Sequence, residues 1–214
     1  MLDPSEFLLC EYLNGALAPE RATVNTSFYD RAELGKLGFG RVSADALISR
    51  NAKFYNPRNI WIGDHVRIDD FCILSAGDGA ATIDLQGYNH IAAGVMLYGG
   101  AGISVGKHCQ IAAQSIVLSR SDDFTGRWLN GPMVPDQFRL TTAARIVLWD
   151  FSILGARSTV MPGAELAEGA VLGAHSFTKR LIPEWQVWAG SPAKFLYHRL
   201  RTCASMMIDV RAQA

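Results

Sequence analysis

Five histidines, His65, His90, His108, His175 and His198, are the side chains able to move protons near neutral pH. An imidazole can take a proton from an attacking hydroxyl or amine at that pH, so each is a candidate general base. Two adjacent acids, Asp122 and Asp123, lie in the polar stretch Ser121-Asp122-Asp123-Phe124-Thr125-Gly126. Aspartates in such a stretch either cap backbone N–H groups in a turn or orient a histidine and contact a substrate. Lys179 and Lys194 are point charges that either sit solvated on the surface or neutralise an anion. The four cysteines are far apart with no CxxC pair, so the thiols are expected to be reduced, as in a cytoplasmic protein.

The elements that must position these groups follow from an internal repeat. Leu154, Val160, Leu166 and Leu172 recur every six residues, and a small residue follows each by four: Ser158, Ala164, Ala170 and Ser176. A six-residue beat is neither helical nor simply alternating. It fits a chain that runs straight briefly, turns, and repeats as a three-edged coil of about 18 residues, with stacked coils pairing as parallel strands ~4.8 Å apart. The anchors then form three columns. Column one is Val42, Ile62, Ile83, Val105, Leu148 and Leu166. Column two is Ile48, Ile68, Ile91, Ile111, Leu154 and Leu172. Column three is Phe54, Leu74, Leu97, Val117, Val160 and Thr178. All departures from six but the step from Ile83 to Ile91 fall between columns three and one, as insertions at one solenoid corner should.

The expected fold is therefore all-β: a three-edged parallel β-helix of about six coils over residues 41–190. A long loop, residues 118–147, leaves one corner. Cys72 and Cys109 take small inward positions and read as core filler. Asp3-Pro4-Ser5-Glu6 reads as a helix start within an N-terminal segment, residues 1–40, and Asp30 as the cap of a second short helix through Leu37. Ser191-Pro192 predicts a C-terminal helix, roughly Ala193–Met206, within residues 191–214.

Composition narrows the function. The chain of 214 residues has 20 basic and 20 acidic side chains, a balance that argues against binding nucleic acid through its phosphates. The longest charge-free apolar stretch, residues 85–106, holds six glycines with Gln86, Asn89 and His90, so no membrane span is expected. The N-terminus lacks a basic region and does not read as a signal peptide.

The register also sorts the histidines. His65 and His108 each follow a column-one anchor by three, two coils or about 9–10 Å apart, too far to share a metal with bonds of ~2.1 Å. No metal site is expected. His90 precedes a column-two anchor at a corner. Two residues after the column-two anchors come Ala93, Ala113, Ala156 and Ala174 on successive coils. Such a strip makes a shallow channel for a thin ligand arm, and its ends lie ~14 Å apart. A ligand anchored near Ala174 would present its far end near His90. The competing reading of His90 is an ordinary corner histidine.

Three further stretches, Leu154-Gly-Ala-Arg-Ser-Thr-Val-Met-Pro-Gly163, Leu172-Gly-Ala-His-Ser-Phe-Thr-Lys179 and Ala189-Gly-Ser-Pro-Ala-Lys194, occur in that order. Together they resemble the hexapeptide-repeat acyltransferases over roughly residues 40–196. That resemblance implies a left-handed β-helix, usually trimeric, that uses acetyl-CoA or another acyl-CoA. Ser121-Asp122-Asp123-Phe124-Thr125-Gly126 and Asn130-Gly-Pro-Met-Val-Pro135 are similar to a narrower group. It includes galactoside O-acetyltransferase-like proteins and the dTDP-4-amino-4,6-dideoxyglucose acetyltransferases of surface-polysaccharide and lipopolysaccharide synthesis. The resemblance implies CoA contacts at Ala113, Gly155, Ala156, Gly173, Ala174, Thr178, Lys179 and Lys194. The galactoside and maltose enzymes carry a catalytic histidine in the loop after this coil, where the present chain has Ser121 and Asp122.

The expected activity is acetyl transfer from acetyl-CoA to an amino or hydroxyl group of a nucleotide-linked deoxysugar. His90 is the expected base, with Asp122 or Asp123 assisting and Tyr98, Ser121, Trp128 and Asn130 at the sugar. Because the loop and His90 belong to different corners, the simplest route to cooperation is a loop reaching a neighbouring subunit, an obligate oligomer with shared sites that is consistent with the homotrimers the resemblance implies. The alternative is a non-catalytic β-helical scaffold or binding subunit.

Overall fold

The computed structural model describes residues 27–206. The chain winds into a three-sided, left-handed parallel β-helix whose faces are three parallel sheets. On face one Val42, Ile62, Leu85, Val105, Leu148, Leu166 and Ile182 stand in register. Face two aligns Ile48, Ile68, Ile91, Ile111, Leu154, Leu172 and Trp188. Face three aligns Phe54, Leu74, Leu97, Val117, Val160 and Thr178. Most of these anchors are completely buried and form one continuous core. Each fully buried aliphatic side chain contributes roughly 1.5–3 kcal/mol.

Two details differ from the reading of the sequence. The stack has seven coils, because Ile182 and Trp188 add a partial one. The face-one anchor of the third coil is Leu85 rather than Ile83. Ile83 points inward too, but it pairs with Ile60 and Ile103, one alternation earlier in the same strand. Leu85 precedes Ile91 by the regular six residues, so every insertion now falls at the corner between faces three and one.

The other corners need left-handed backbone. Between faces one and two, His65, Tyr88, His108, Phe151 and Trp185 all have positive φ. An αL conformation costs a non-glycine residue ~1–2 kcal/mol. Here the rings stack as a ladder along the corner, with centroids 4.6, 4.6, 5.4 and 6.0 Å apart. Such stacking offsets part of the backbone strain. The sixth-coil rung is Gly169, where a Cβ would run into the indole of Trp185. Tyr88 lies between His65 and His108, so those two imidazoles are separated by a ring.

The long insertion leaves face three after Leu118. It folds as an antiparallel ribbon, Arg120–Asp122 against Thr141–Ala143, and rejoins face one at Ile146–Leu148. The first expected helix lies outside the described residues. Asp30 caps Arg31–Leu34 in a box with Glu33, at 2.8 and 2.9 Å, so this helix ends before Leu37.

The C-terminal helix expected over residues 193–206 is a strand through its first half. Ala193–His198 pairs antiparallel with Gln186–Gly190, and only residues 202–206 are helical. Gln186–Gly190 ends the parallel stack of face two, and its unpaired edge offers a ready row of donors and acceptors. The chain reverses at Gly190, whose φ of 104° suits glycine, and covers that edge.

Candidate active site

His90 stands on the outer side of face two, one residue before the inward anchor Ile91. Its Nε2 lies 2.8 Å from Oδ2 of Asp69, which follows the anchor Ile68 on the coil beneath. Arg67 donates from Nε to the other carboxylate oxygen at 2.7 Å. The Arg67 guanidinium in turn lies 5.6 Å from the ring centroid of Phe28. Burial pushes the Asp69 carboxyl up, but hydrogen bonds from His90 and Arg67 outweigh it and hold the group below its usual range. Phe28, Arg67, Asp69, Asp70 and Ala93 line a cavity of about 220 Å³ beside this pair.

Ala93 opens the small-residue strip, and backbone hydrogen bonds fix it coil by coil. The Ala93, Ala113 and Ala156 carbonyls accept from the N–H groups of Gln114, Arg157 and His175 at 3.0, 2.9 and 2.9 Å. All four alanines are exposed or half-buried on the outside. Beside them, Gly155 and Gly173 keep face two flat. A Cβ at Gly155 would overlap the backbone of Ala174, and one at Gly173 would sit 2.8 Å from the Ala189 methyl. Coil stacking alone therefore demands glycine at both positions.

At the upper end, Thr178, Lys179 and Lys194 converge on a cavity of about 430 Å³. Phe177, Arg180, Trp188 and Phe195 also line it, so apolar walls meet three cationic side chains. The C-terminal strand creates this convergence by placing Lys194 opposite Ala189. Thr178 is an inward anchor whose hydroxyl meets the Arg180 backbone. Trp185 belongs to the corner ladder, whereas Trp188 faces the cavity. The arrangement suits a long ligand with an anionic, partly aromatic head and a thin reactive arm.

The loop residues stand at the corner between faces three and one, away from His90 on face two. Asp122 accepts from the Gly131 N–H at 3.1 Å. Asp123 accepts from Thr125 N, Thr125 Oγ1 and Arg127 N at 3.1, 2.9 and 3.2 Å. Burial raises the Asp123 carboxyl, but the Thr125 and Arg127 bonds dominate and lower it. Ser121 pairs with Thr142 across the ribbon. Trp128 and Asn130 are exposed, as are Phe124 at 84% and Met133 at 93%. Tyr98 lies on face three with its hydroxyl 3.7 Å from Met96 Sδ.

The structure thus brings Thr178, Lys179 and Lys194 to one cavity and sets the four alanines on successive coils along the outside of the helix. Within one chain it does not bring the loop acids to His90. Asp69 and Arg67 were not anticipated. Their signal was present in the register, since Asp69 and His90 flank neighbouring anchors on opposite sides.

No protein-family model matches the chain. A dTDP-4-amino-4,6-dideoxy-D-glucose acyltransferase of Escherichia coli is 33% identical over 173 residues, covering 81% of this chain and 89% of the relative. AntD, an N-acyltransferase from Bacillus cereus, has been solved with dTDP and 3-hydroxybutyryl-CoA. That structure superposes with a TM-score of 0.83 at 37% identity, covering 87% of this chain and 97% of AntD. A point mutant of AntD holding dTDP-4-amino-4,6-dideoxyglucose and coenzyme A gives 0.84 at 37% identity, with coverages of 88% and 99%.

Proposed function

Since the chain belongs to the dTDP-4-amino-4,6-dideoxyglucose acyltransferases, we propose that it moves a short acyl group from CoA to the 4-amino group of a nucleotide-linked 4-amino-4,6-dideoxysugar. The observation that supports this reading is the convergence of Lys179 and Lys194 on one cavity, with the alanine strip and His90 on the coils below. The two ammonium groups neutralise the nucleotide phosphates of CoA. The pantetheine arm lies along Ala174, Ala156, Ala113 and Ala93, with Gly155 and Gly173 letting it approach the backbone. About 14 Å of strip brings the thioester to the level of His90.

The acceptor amine attacks the thioester carbon directly, with His90 as the base. Backbone N–H groups stabilise the charge that develops on the carbonyl oxygen. An amine acceptor is favoured over a hydroxyl because the relatives at 33% and 37% identity are described for an amino sugar and as an N-acyltransferase.

The assembly we propose is a homotrimer with sites between subunits. Exposed Phe124, Trp128, Leu129 and Met133 on the insertion, with Tyr55 and Tyr98 on face three, support it. Such a patch is costly to leave in water. The insertion of one subunit then reaches face two of the next, placing Asp122, Ser121 and Asn130 at the acceptor sugar. Asp123 has both carboxylate oxygens engaged by its own turn, whereas Asp122 accepts from Gly131 through Oδ2, so Asp122 is the loop acid assigned to substrate. Among the described residues no helix is long and apolar enough to cross a membrane. We place the reaction in the cytoplasm, beside the supply of CoA thioesters and nucleotide sugars, on a route to surface polysaccharide.

The direct test is incubation with acetyl-CoA and dTDP-4-amino-4,6-dideoxyglucose. The expected result is equal formation of free CoA thiol and a nucleotide sugar heavier by one acetyl group. Thiol release no faster than without enzyme, tested with both acetyl and 3-hydroxybutyryl donors, would refute it.

A further inference from the structure

We propose that Asp69 is a positioning residue for acyl transfer: it holds His90 as the Nε2–H tautomer, so that Nδ1 is the ring atom that takes the acceptor's proton. The inference rests on the reading of His90 as the base and adds which atom acts and what sets it.

An ionised carboxylate only accepts hydrogen bonds, and a neutral imidazole has one donor and one acceptor nitrogen. Nε2 faces Oδ2 of Asp69 at 2.8 Å, within the range of a charge-assisted bond. The ring nitrogen at that contact must therefore carry the hydrogen, and Nδ1 keeps its lone pair. A half-turn of the ring would put a carbon against the carboxylate and lose the bond.

Arg67 makes the arrangement persistent. Its guanidinium binds Oδ1 at 2.7 Å, leaving Oδ2 for the histidine. The charged and polar groups around the imidazole are Arg67 and Asp69 on the coil beneath and Gln110 on the coil above. Asp70, in the adjoining cavity, accepts from Ser49 and Asn51. Asp69 is thus the acid that reaches the ring within the chain, across one coil step, without a loop from elsewhere.

The step balances as follows. The amine nitrogen forms a bond to the thioester carbon while its proton passes to Nδ1. The tetrahedral adduct collapses with cleavage of the carbon–sulfur bond. The imidazolium returns the proton to the departing sulfur, giving an amide and CoA thiol with His90 neutral again.

The test is nitrogen-15 NMR of histidine-labelled full-length protein, with the His90 signals assigned by their loss in a His90→Gln chain. The wild-type ring should show hydrogen on Nε2. In Asp69→Asn a carboxamide N–H can turn to Nε2, which should move hydrogen to Nδ1 and lower kcat by about 10²–10⁴-fold, the worth of general-base catalysis. The KM for CoA, set at the Lys179 end, should stay within threefold, and Asp69→Glu should recover part of kcat. The tautomer is read on the wild-type protein, and assignment needs only that His90→Gln, a change on the outer side of face two, folds. A wild-type ring found as Nδ1–H, or an Asp69→Asn chain with kcat within threefold, would overturn the assignment. His90→Gln separates the two ideas: a chain that keeps its kcat removes the base itself, whereas a dead His90→Gln with an Nδ1–H wild-type ring removes only the role of Asp69.

Discussion

His90 and Asp69 are 21 positions apart in sequence and meet at 2.8 Å because one turn of the coil separates them. Each sits beside an inward anchor, Asp69 after Ile68 and His90 before Ile91, and those anchors are paired in register. The contact is thus a product of the solenoid itself. A one-residue slip in either coil would turn one of the two side chains inward.

The proposed sites between subunits make a prediction about mixtures. Asp122 lies on the ribbon at the corner between faces three and one, and His90 lies on face two. Asp122→Asn and His90→Ala chains, each inactive alone, should regain activity when unfolded and refolded together. A site joining the wild-type Asp122 of one chain to the wild-type His90 of another would be restored. Acyl transfer measured across mixing ratios should peak near equal amounts. A flat baseline at every ratio would place both residues' function within one chain.

The two lysines should act on binding and leave chemistry alone. Lys179 and Lys194 line the same cavity, and hydrogen bonds to charged groups are worth about 1.5–3 kcal/mol. Lys179→Ala or Lys194→Ala should raise the KM for the acyl-CoA roughly tenfold or more, with kcat within twofold. Loss of kcat at saturating acyl-CoA would move the cavity from binding to catalysis.

Gly155 is held by backbone on the next coil, so even one methyl group must displace the chain. Gly155→Ala should destabilise the fold by about 1–3 kcal/mol in urea unfolding. It should also raise the KM for CoA, because the flat face beside Ala174 is lost. Unchanged stability would show that the coils can separate there freely.

Burial pushes the thiols of Cys72 and Cys109 up to about 11. The thiolate is the reactive form, so at pH 8 both should resist alkylation in the folded protein and react on unfolding. Cys203 is half-buried and should label first among the described cysteines. Mass spectrometry after brief iodoacetamide treatment reads this out, and rapid native labelling of Cys72 or Cys109 would contradict the core placement.

The hexad columns were legible because stacked coils tolerate one pattern of inward residues, and each face repeats it. Ile83 and Leu85 are not separable by pattern, because both are aliphatic, both point inward, and only strand pairing distinguishes them. Asp69 is silent in the sequence for a related reason. Its meaning depends on register across coils, and nothing within a few residues of it marks it. The C-terminal strand was read as a helix because Ser191-Pro192 is a strong local start signal, while the open sheet edge that captures Ala193–His198 is a tertiary fact. The loop acids carry a local signal only. Their turn-capping bonds follow from sequence, whereas the face they reach in an assembly does not.

On the proposed reading face two carries the chemistry and His90 removes the proton, and kcat for His90→Gln with saturating acetyl-CoA and dTDP-4-amino-4,6-dideoxyglucose measures that role. General-base catalysis is worth about 10²–10⁴-fold, so kcat should fall by that factor while the KM for acetyl-CoA stays within threefold. A kcat within threefold of wild type would contradict the account and send the search for the base elsewhere.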